Sequence, residues 1–314
     1  MKLFASLLSI ASIAGAISQV SAYPGPGNVQ GATFVHDPSM IKVGNTYYVF
    51  ATAPGISIKT STDRTNFVDA GVVFPNGAPW CDTWTAEDKN LWAPDVSYAH
   101  GQFILYYSCS TLYSRRSAIY LATSATGRSG SWVDHGLVVS SNNGDALNAI
   151  DPGLVIDGNN WRLTYGSFGS GIFSIVLDPT TGHPKDNART RLATRTVNDG
   201  AVEGAYMHKI GAFWYLFVSW DRCCQGAAST YHIMVGRSQS SNGPFFDKNG
   251  VNLANGGGTE ILGGHDGIHG PGGQSVFRDV DGDLLVYHYY DNAGAARLGI
   301  NKLVLDGSGW PVVV

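Results

Sequence analysis

Three acidic residues stand where burial would be costly: Asp37 in "HDPSMIKVG", Asp151 in "NAIDPGLVI" and Glu203 in "VEGAYMHKIG". Each opens a run of apolar and β-branched residues that reads as a strand, and a lone ionised carboxylate is expensive to remove from water. The placement makes sense if the three strands open onto one shared polar space. Two carboxyls held a sugar's width apart are the equipment of glycoside hydrolysis: one acid for the leaving oxygen, and one base or nucleophile. A third carboxylate nearby raises the acid's pKa by like-charge repulsion. The same oxygens would serve a sugar-binding lectin or a calcium site, and on chemistry alone these readings stand beside hydrolysis.

The elements that must bring the three together recur along the chain. Units open at Asp37, Asp95, Asp151, Glu203 and near Gln274, at intervals of roughly 50–70 residues. Each unit has a polar opener, a short strand, a turn glycine (Gly44, Gly101, Gly158, Gly211, Gly282) and a second, aromatic-rich strand. Amphipathic helical stretches are hard to find. The expected fold is therefore all-β, a five-bladed β-propeller whose inner strands line a central channel. A β-sandwich with coincidentally similar hairpins is the alternative, and five similar units without a linker argue against it. No Pro/Ser-rich spacer divides the chain, so residues 23–314 read as one catalytic domain.

The composition fits such a fold outside the cell. Lys plus Arg number 20 against 24 Asp plus Glu, a net charge of −4, and 40 Gly accompany 13 Phe, 8 Trp and 15 Tyr. No basic cluster is interleaved with aromatics, so nucleic acid is not an expected partner. Met1-Lys2, the apolar stretch from Leu3 to Ile17 and the small-residue segment "SQVSA" have the layout of a secretory signal peptide over residues 1–22, cut after Ala22. About fifteen apolar residues are few for a bilayer span, and no other stretch suits one, so no membrane partner is expected. Export permits disulfides. Cys81–Cys109 is the natural long-range pair, leaving the adjacent Cys223 and Cys224 to bond each other or stay free.

An ordered set of motifs resembles the secreted, fungal-type endo-1,5-α-L-arabinanases of glycoside hydrolase family 43. It comprises "HDPS" (His36–Ser39), "LWAPDVSY" (Leu91–Tyr98), "NAIDPG" (Asn148–Gly153), "VEGAYM" (Val202–Met207), "CCQG" (Cys223–Gly226), "HGPGGQSV" (His269–Val276) and "GWPVV" (Gly309–Val313). The resemblance implies that Asp37 is the general base activating water, Glu203 the general acid, and Asp151 the residue that tunes and orients the acid. It implies an inverting enzyme, with arabinan, a neutral side chain of plant pectin, as substrate. Rival readings are an exo-acting arabinofuranosidase or β-xylosidase of the same family, and a non-catalytic sugar-binding propeller.

Other residues are read beside their structural alternatives. Trp92 resembles a sugar-contacting tryptophan, and Asn148 and Phe168 flank the centre as further substrate contacts. Asp95 occupies a unit-opening position, yet "WAPD" reads equally as a structural turn. His36 either orients Asp37 or bonds backbone. Many relatives carry a metal-holding His in the fifth unit, where this chain has Gly273. That departure weakens a structural calcium site, and no cofactor is required. A monomer is expected.

Overall fold

The apolar strands are satisfied on both faces by a neighbouring sheet. In the second strand of blade two (Gln102–Cys109), Leu105 and Tyr107 pack toward blade one, while Ile104 and Tyr106 pack toward blade three. Side chains alternate along a strand, so a continuous apolar run suits a sheet covered on both sides. The computed structural model describes residues 23–86 and 88–314. The leader expected over residues 1–22 lies outside the described residues.

Five sheets of four or five strands follow one another in sequence. Their inner strands are Ser39–Val43, Asn90–Ala99, Gly153–Asp157, Val202–Ile210 and His269–Asp279. Each turns into an antiparallel second strand, at the expected glycine in blades one to four and at Val280-Asp281 in blade five, where Gly282 instead begins the second strand. Five apolar clusters fill the five gaps between adjacent blades. This is the five-bladed propeller. Among the described residues the only α-helix is the single turn Asp82–Thr85.

Blade one is built from N-terminal strands and blade five from C-terminal ones, so side chains and loops close the ring. Leu284, Val286 and Leu298 of blade five pack on Met40, Val49 and Ala51 of blade one. Tyr47 Oη donates to Asp279 Oδ2 at 2.7 Å, and Arg64 forks onto Asp281 at 2.7 and 3.0 Å. Backbone from the leading segment adds Gly27 N–H to Ile300 O and Leu298 N–H to Thr33 O.

The structure corrects the register of the units. The residue that enters the left-handed region at the head of each inner strand is Asp37, Ala93, Asp151, Gly204 or Gly273. Blades two, four and five therefore open at Ala93, Gly204 and Gly273, rather than at Asp95, Glu203 and Gln274. Strand pairing slips between Trp92 and Asp95, Glu203 and Tyr206, and Gly272 and Ser275. Such a bulge adds a residue that strand periodicity does not register. Asp95 thus lies two residues deeper than the position of Asp37, level with Ser39. It is buried, accepts Ser39 Oγ at 3.1 Å and Leu154 N–H at 2.6 Å, and ties blades one, two and three together. Burial pushes its carboxyl up to about 6.

All four cysteines are paired, Cys81–Cys109 and Cys223–Cys224. Protein unfolded without reductant should therefore titrate no free thiol, whereas four thiols would refute both bonds. Cys81 and Cys109 are 28 residues apart, and cutting a bond that closes a loop of this size should cost about 3–4 kcal/mol of stability.

Candidate active site

One recurring device builds the channel mouth. At Asp37, Ala93, Asp151, Gly204 and Gly273 the φ angles are 48°, 40°, 58°, 60° and 55°. Glycine adopts this conformation freely, but other residues hold it only where their surroundings impose it. The preceding blade supplies the constraint by capping the opener's N–H from the end of its second strand. Ala93 N–H meets Thr52 Oγ1 at 2.8 Å, and Asp151 N–H meets Ser108 Oγ at 3.0 Å. Gly273 N–H meets Ser219 Oγ at 3.0 Å, and Asp37 N–H meets His288 Nδ1 at 3.1 Å. Blade three has Gly166 at the equivalent place and offers no such cap. There Asp151 Oδ2 itself accepts Gly204 N–H at 3.0 Å.

Asp37, Asp151 and Glu203 come together as expected, but from two kinds of position. Asp37 and Asp151 are the left-handed residues themselves. Glu203 immediately precedes one, as do His36 and Trp92. Together with Asp95, Tyr231 and Gln274, Asp37 and Asp151 line a channel cavity of about 40 Å³, room for one or two waters.

The three carboxyls have unequal surroundings. Burial pushes Asp37 up, but the neighbouring His36 cation more than offsets this and holds Asp37 lowered to about 2. His36 Nδ1 lies 2.8 Å from Asp37 Oδ2, which also accepts Thr52 Oγ1 at 2.8 Å. Burial lowers His36, yet the charge and hydrogen bond of Asp37 raise it overall. Asp151 has no such cation. Burial, then the charges of Glu203 and Asp37, push it well up.

Glu203 is buried and also raised. Burial dominates over the Ser167 and Tyr231 hydroxyls, which favour its ionised form. Ser167 Oγ donates to Oε2 at 2.6 Å, and Tyr231 Oη donates to Oε1. Like charges at close range do not ionise together, so Asp151 and Glu203 titrate as a pair that retains a proton after Asp37 has lost its own.

His288, from the second strand of blade five, is a channel imidazole that the sequence reading did not name. A side chain at 273 would collide with Asp37 and with His288 itself. Burial first, then the His36 cation, lowers His288 to about 3, so it is neutral. Its Nε2 is buried without a hydrogen-bond partner among the described residues. His36, Asp37 and His288 bring possible ligand atoms within 4.8 Å of one another. Two ring nitrogens and one carboxylate nevertheless fit calcium poorly, since it takes about six to eight oxygens, and no step below passes through a metal.

Trp92 stands at the mouth, half-buried, in the position of His36 and Glu203. Phe168 is half-buried and left-handed, with φ of 54°, directly after Ser167; so bulky a residue in that region marks an imposed conformation. Asn148 is more buried than a surface contact, and its Oδ1 accepts Ser117 Oγ at 2.7 Å, anchoring the loop that carries Asp151. The sequence reading missed Thr52, Ser108, Ser167, Ser219, Tyr231 and His288. A signal existed: in the aligned units a hydroxyl or imidazole recurs at the end of the second strand in four blades of five.

Comparison with known proteins identifies the family. The model of the family described as glycosyl hydrolases family 43 matches residues 27–311. The chain is 40% identical to the extracellular endo-α-(1→5)-L-arabinanase 1 of Bacillus subtilis, covering 96% of this chain and 95% of that protein. Among solved structures, an endo-arabinanase from Bacillus licheniformis superposes with a TM-score of 0.85 at 44% identity, covering 91% of this chain and 99% of that one. An exo-1,5-α-L-arabinanase from a bovine ruminal metagenomic library also superposes at 0.85, at 36% identity, covering 90% and 97%.

A Cβ added to Gly273 would lie 2.4 Å from Asp37 Oδ1 and 2.8 Å from His288 Nδ1. Gly273→Ala should displace Asp37 and lower kcat roughly 100-fold while the circular dichroism spectrum stays native. A fully active variant would show that Asp37 does not need this position.

Proposed function

Because the chain belongs to glycosyl hydrolase family 43, we propose that it hydrolyses internal α-1,5-L-arabinofuranosidic bonds of arabinan, outside the cell and with inversion. The unequal protonation of three carboxyls at one mouth carries this reading. Asp37, ionised beside His36, accepts a proton from water as the water oxygen attacks the anomeric carbon. The bond to the leaving O5 breaks, and Glu203 delivers its proton to that oxygen. Asp37 ends protonated and Glu203 ionised, and exchange with solvent restores both. On this reading the proton retained by the pair is on Glu203 when it acts, and Asp151 holds the Glu203 strand through Gly204 N–H. Trp92 and Phe168 offer apolar faces to the furanose rings, and Asn148 acts from behind them by anchoring the loop that carries Asp151.

Export is supported by the leader-like residues 1–22 and by a relative that is itself named extracellular. The net charge of −4 does not attract a polyanion such as nucleic acid, and among the described residues no helix is long and apolar enough to cross a membrane. We take the enzyme as a monomer that requires no cofactor. Likeness to an exo-acting arabinanase at the same TM-score keeps exo cleavage as a second reading, since loops at one end of the cleft decide between the two.

Linear debranched arabinan should yield mixed short oligosaccharides in the opening minutes; arabinose alone would establish exo cleavage. Proton NMR over the same period should show the β anomer leading, and an α anomer first would mean retention. Glu203→Gln and Asp37→Asn should each lower kcat by roughly 10²–10⁴-fold with the fold intact.

Asp151→Asn tests the pair. Removing a negative charge lowers the pKa of the remaining acid, so the alkaline limb of kcat/KM should move to lower pH. A limb that stays in place in an active variant would remove Asp151 from this role.

A further inference from the structure

The inner strands are tied together a second time, below the caps at the mouth. Ser39 Oγ donates to Asp95 Oδ1 at 3.1 Å, joining blades one and two, and Leu154 N–H donates to Asp95 Oδ2 at 2.6 Å, joining blades two and three. Thr164 Oγ1 is shared between Gly153 O of its own blade at 3.1 Å and Ala205 O of blade four at 3.3 Å. Gln274 Nε2 donates to Gly204 O at 2.6 Å, joining blades four and five, and Ser275 Oγ to Pro38 O at 2.9 Å, joining blades five and one. These bonds close a ring, and every side chain in it is buried. Ser39, Asp95, Gln274 and Ser275 line the same cavity as Asp37 and Asp151.

Asp95 differs from the other members of the ring. It serves two junctions at once, and its two oxygens are taken by the strands that Asp37 and Asp151 open. A proline follows each of those acids, and its ring fixes φ. Pro38 alone separates Asp37 from Ser39, and Pro152 and Gly153 alone separate Asp151 from Leu154. Each acid is therefore the end of a short, stiff lever that rests on Asp95. The first lever is pinned twice, because Ser39 Oγ also accepts Val96 N–H at 3.0 Å, directly after Asp95. The second reaches further, since Asp151 Oδ2 holds Gly204 N–H beside Glu203.

We propose that Asp95 is a positioning residue for the reaction, setting how far Asp37 stands from Asp151 and, through Gly204, from Glu203. It acts through these strands from below the mouth. The separation it fixes is the gap that a water must occupy in a single displacement. The proposal rests on the reading of Asp37 as base and Glu203 as acid.

Kinetics on linear arabinan test it. Asp95→Ala removes both ties, so kcat should fall roughly 100-fold with KM within about twofold of wild type, because the carboxyls move while the surfaces that bind the chain stay. Asp95→Asn separates position from charge. Its amide oxygen can accept Leu154 N–H and its NH2 can donate to Ser39 Oγ, so most of the lost kcat should return without the negative charge. Ser39→Ala cuts only the tie to the base strand. It should lower kcat roughly tenfold, and cost little more in the Asp95→Ala background, where that tie is already gone. Tyr47→Phe is the comparison: it removes a buried bond between blades one and five at the opposite end of the inner strands, and should lower the thermal midpoint with kcat unchanged.

An Asp95→Ala enzyme that loses only thermal stability would overturn the proposal, as would an Asp95→Asn enzyme equally slow. So would additive losses from Ser39→Ala and Asp95→Ala, or a Tyr47→Phe enzyme just as impaired in kcat. Where Asp95→Ala does not fold, Ser39→Ala decides, and a wild-type kcat there sinks the idea. Asp37→Asn separates the two levels. If it stays active, the reading of the base is wrong; if it is inactive while Asp95→Ala and Ser39→Ala keep the wild-type kcat, only the positioning role is.

Discussion

A backbone N–H at the head of each inner strand governs this molecule. The left-handed residue there turns the strand into the channel and presents an amide that the preceding blade caps. A buried, unpaired N–H is costly, so each blade caps the next: Thr52 for Ala93, Ser108 for Asp151, Ser219 for Gly273, and His288 for Asp37. The last of these joins blade five to blade one. Closure of the ring and placement of the base thus depend on the same hydrogen bond. The strained backbone and the reactive carboxylates coincide because Asp37 and Asp151 are themselves the left-handed residues at the mouth, and Glu203 directly precedes one.

Charge is then divided by proximity to a cation. Three carboxyls in one partly buried mouth cannot all be ionised at comparable cost. Of the three carboxyls His36 touches only that of Asp37, and with Thr52 it stabilises the anion there. Asp151 and Glu203 are left to share a proton. A base and an acid of opposite protonation emerge from residues of similar intrinsic pKa, through environment alone. Neutral His288 belongs to this scheme as well. A second imidazolium stacked 3.9 Å from His36 would compete for the charge of Asp37, and burial prevents it.

Much of this was legible in the sequence, and the omissions have a common cause. The five units show because aromatic runs and turn glycines repeat at sheet length. The three acids show because carboxylates opening apolar strands demand an explanation. What failed was register. The left-handed opener leaves no mark in composition, so Asp95, Glu203 and Gln274, which stand two residues after, one before and one after the openers Ala93, Gly204 and Gly273, looked equivalent to Asp37. The caps were hidden because Ser108 in "YYSCS" and His288 in "VYHYY" look like ordinary members of buried strands. Gly273 was read as a departure at a metal-holding position, and what composition could not reveal is that Asp37 and His288 pack directly against it.

The junction of blades three and four departs from the pattern, and the departure locates the acid. Gly166 stands where the other blades carry a hydroxyl or imidazole, so Gly204 N–H turns to Asp151 Oδ2. The opener of blade three thereby reaches across the mouth and lies against the strand of Glu203. A hydroxyl at 166 would have taken that amide and left Asp151 free to point elsewhere. With glycine there, the structural cap and the electrostatic neighbour are one carboxylate. Any change that removes the Asp151 oxygen loosens the Glu203 strand as well as its charge environment, whereas an amide oxygen in its place keeps the cap and alters only the charge. The third carboxylate is in this sense a consequence of the missing hydroxyl, and the acid stands in the one blade whose opener is held by a charged side chain.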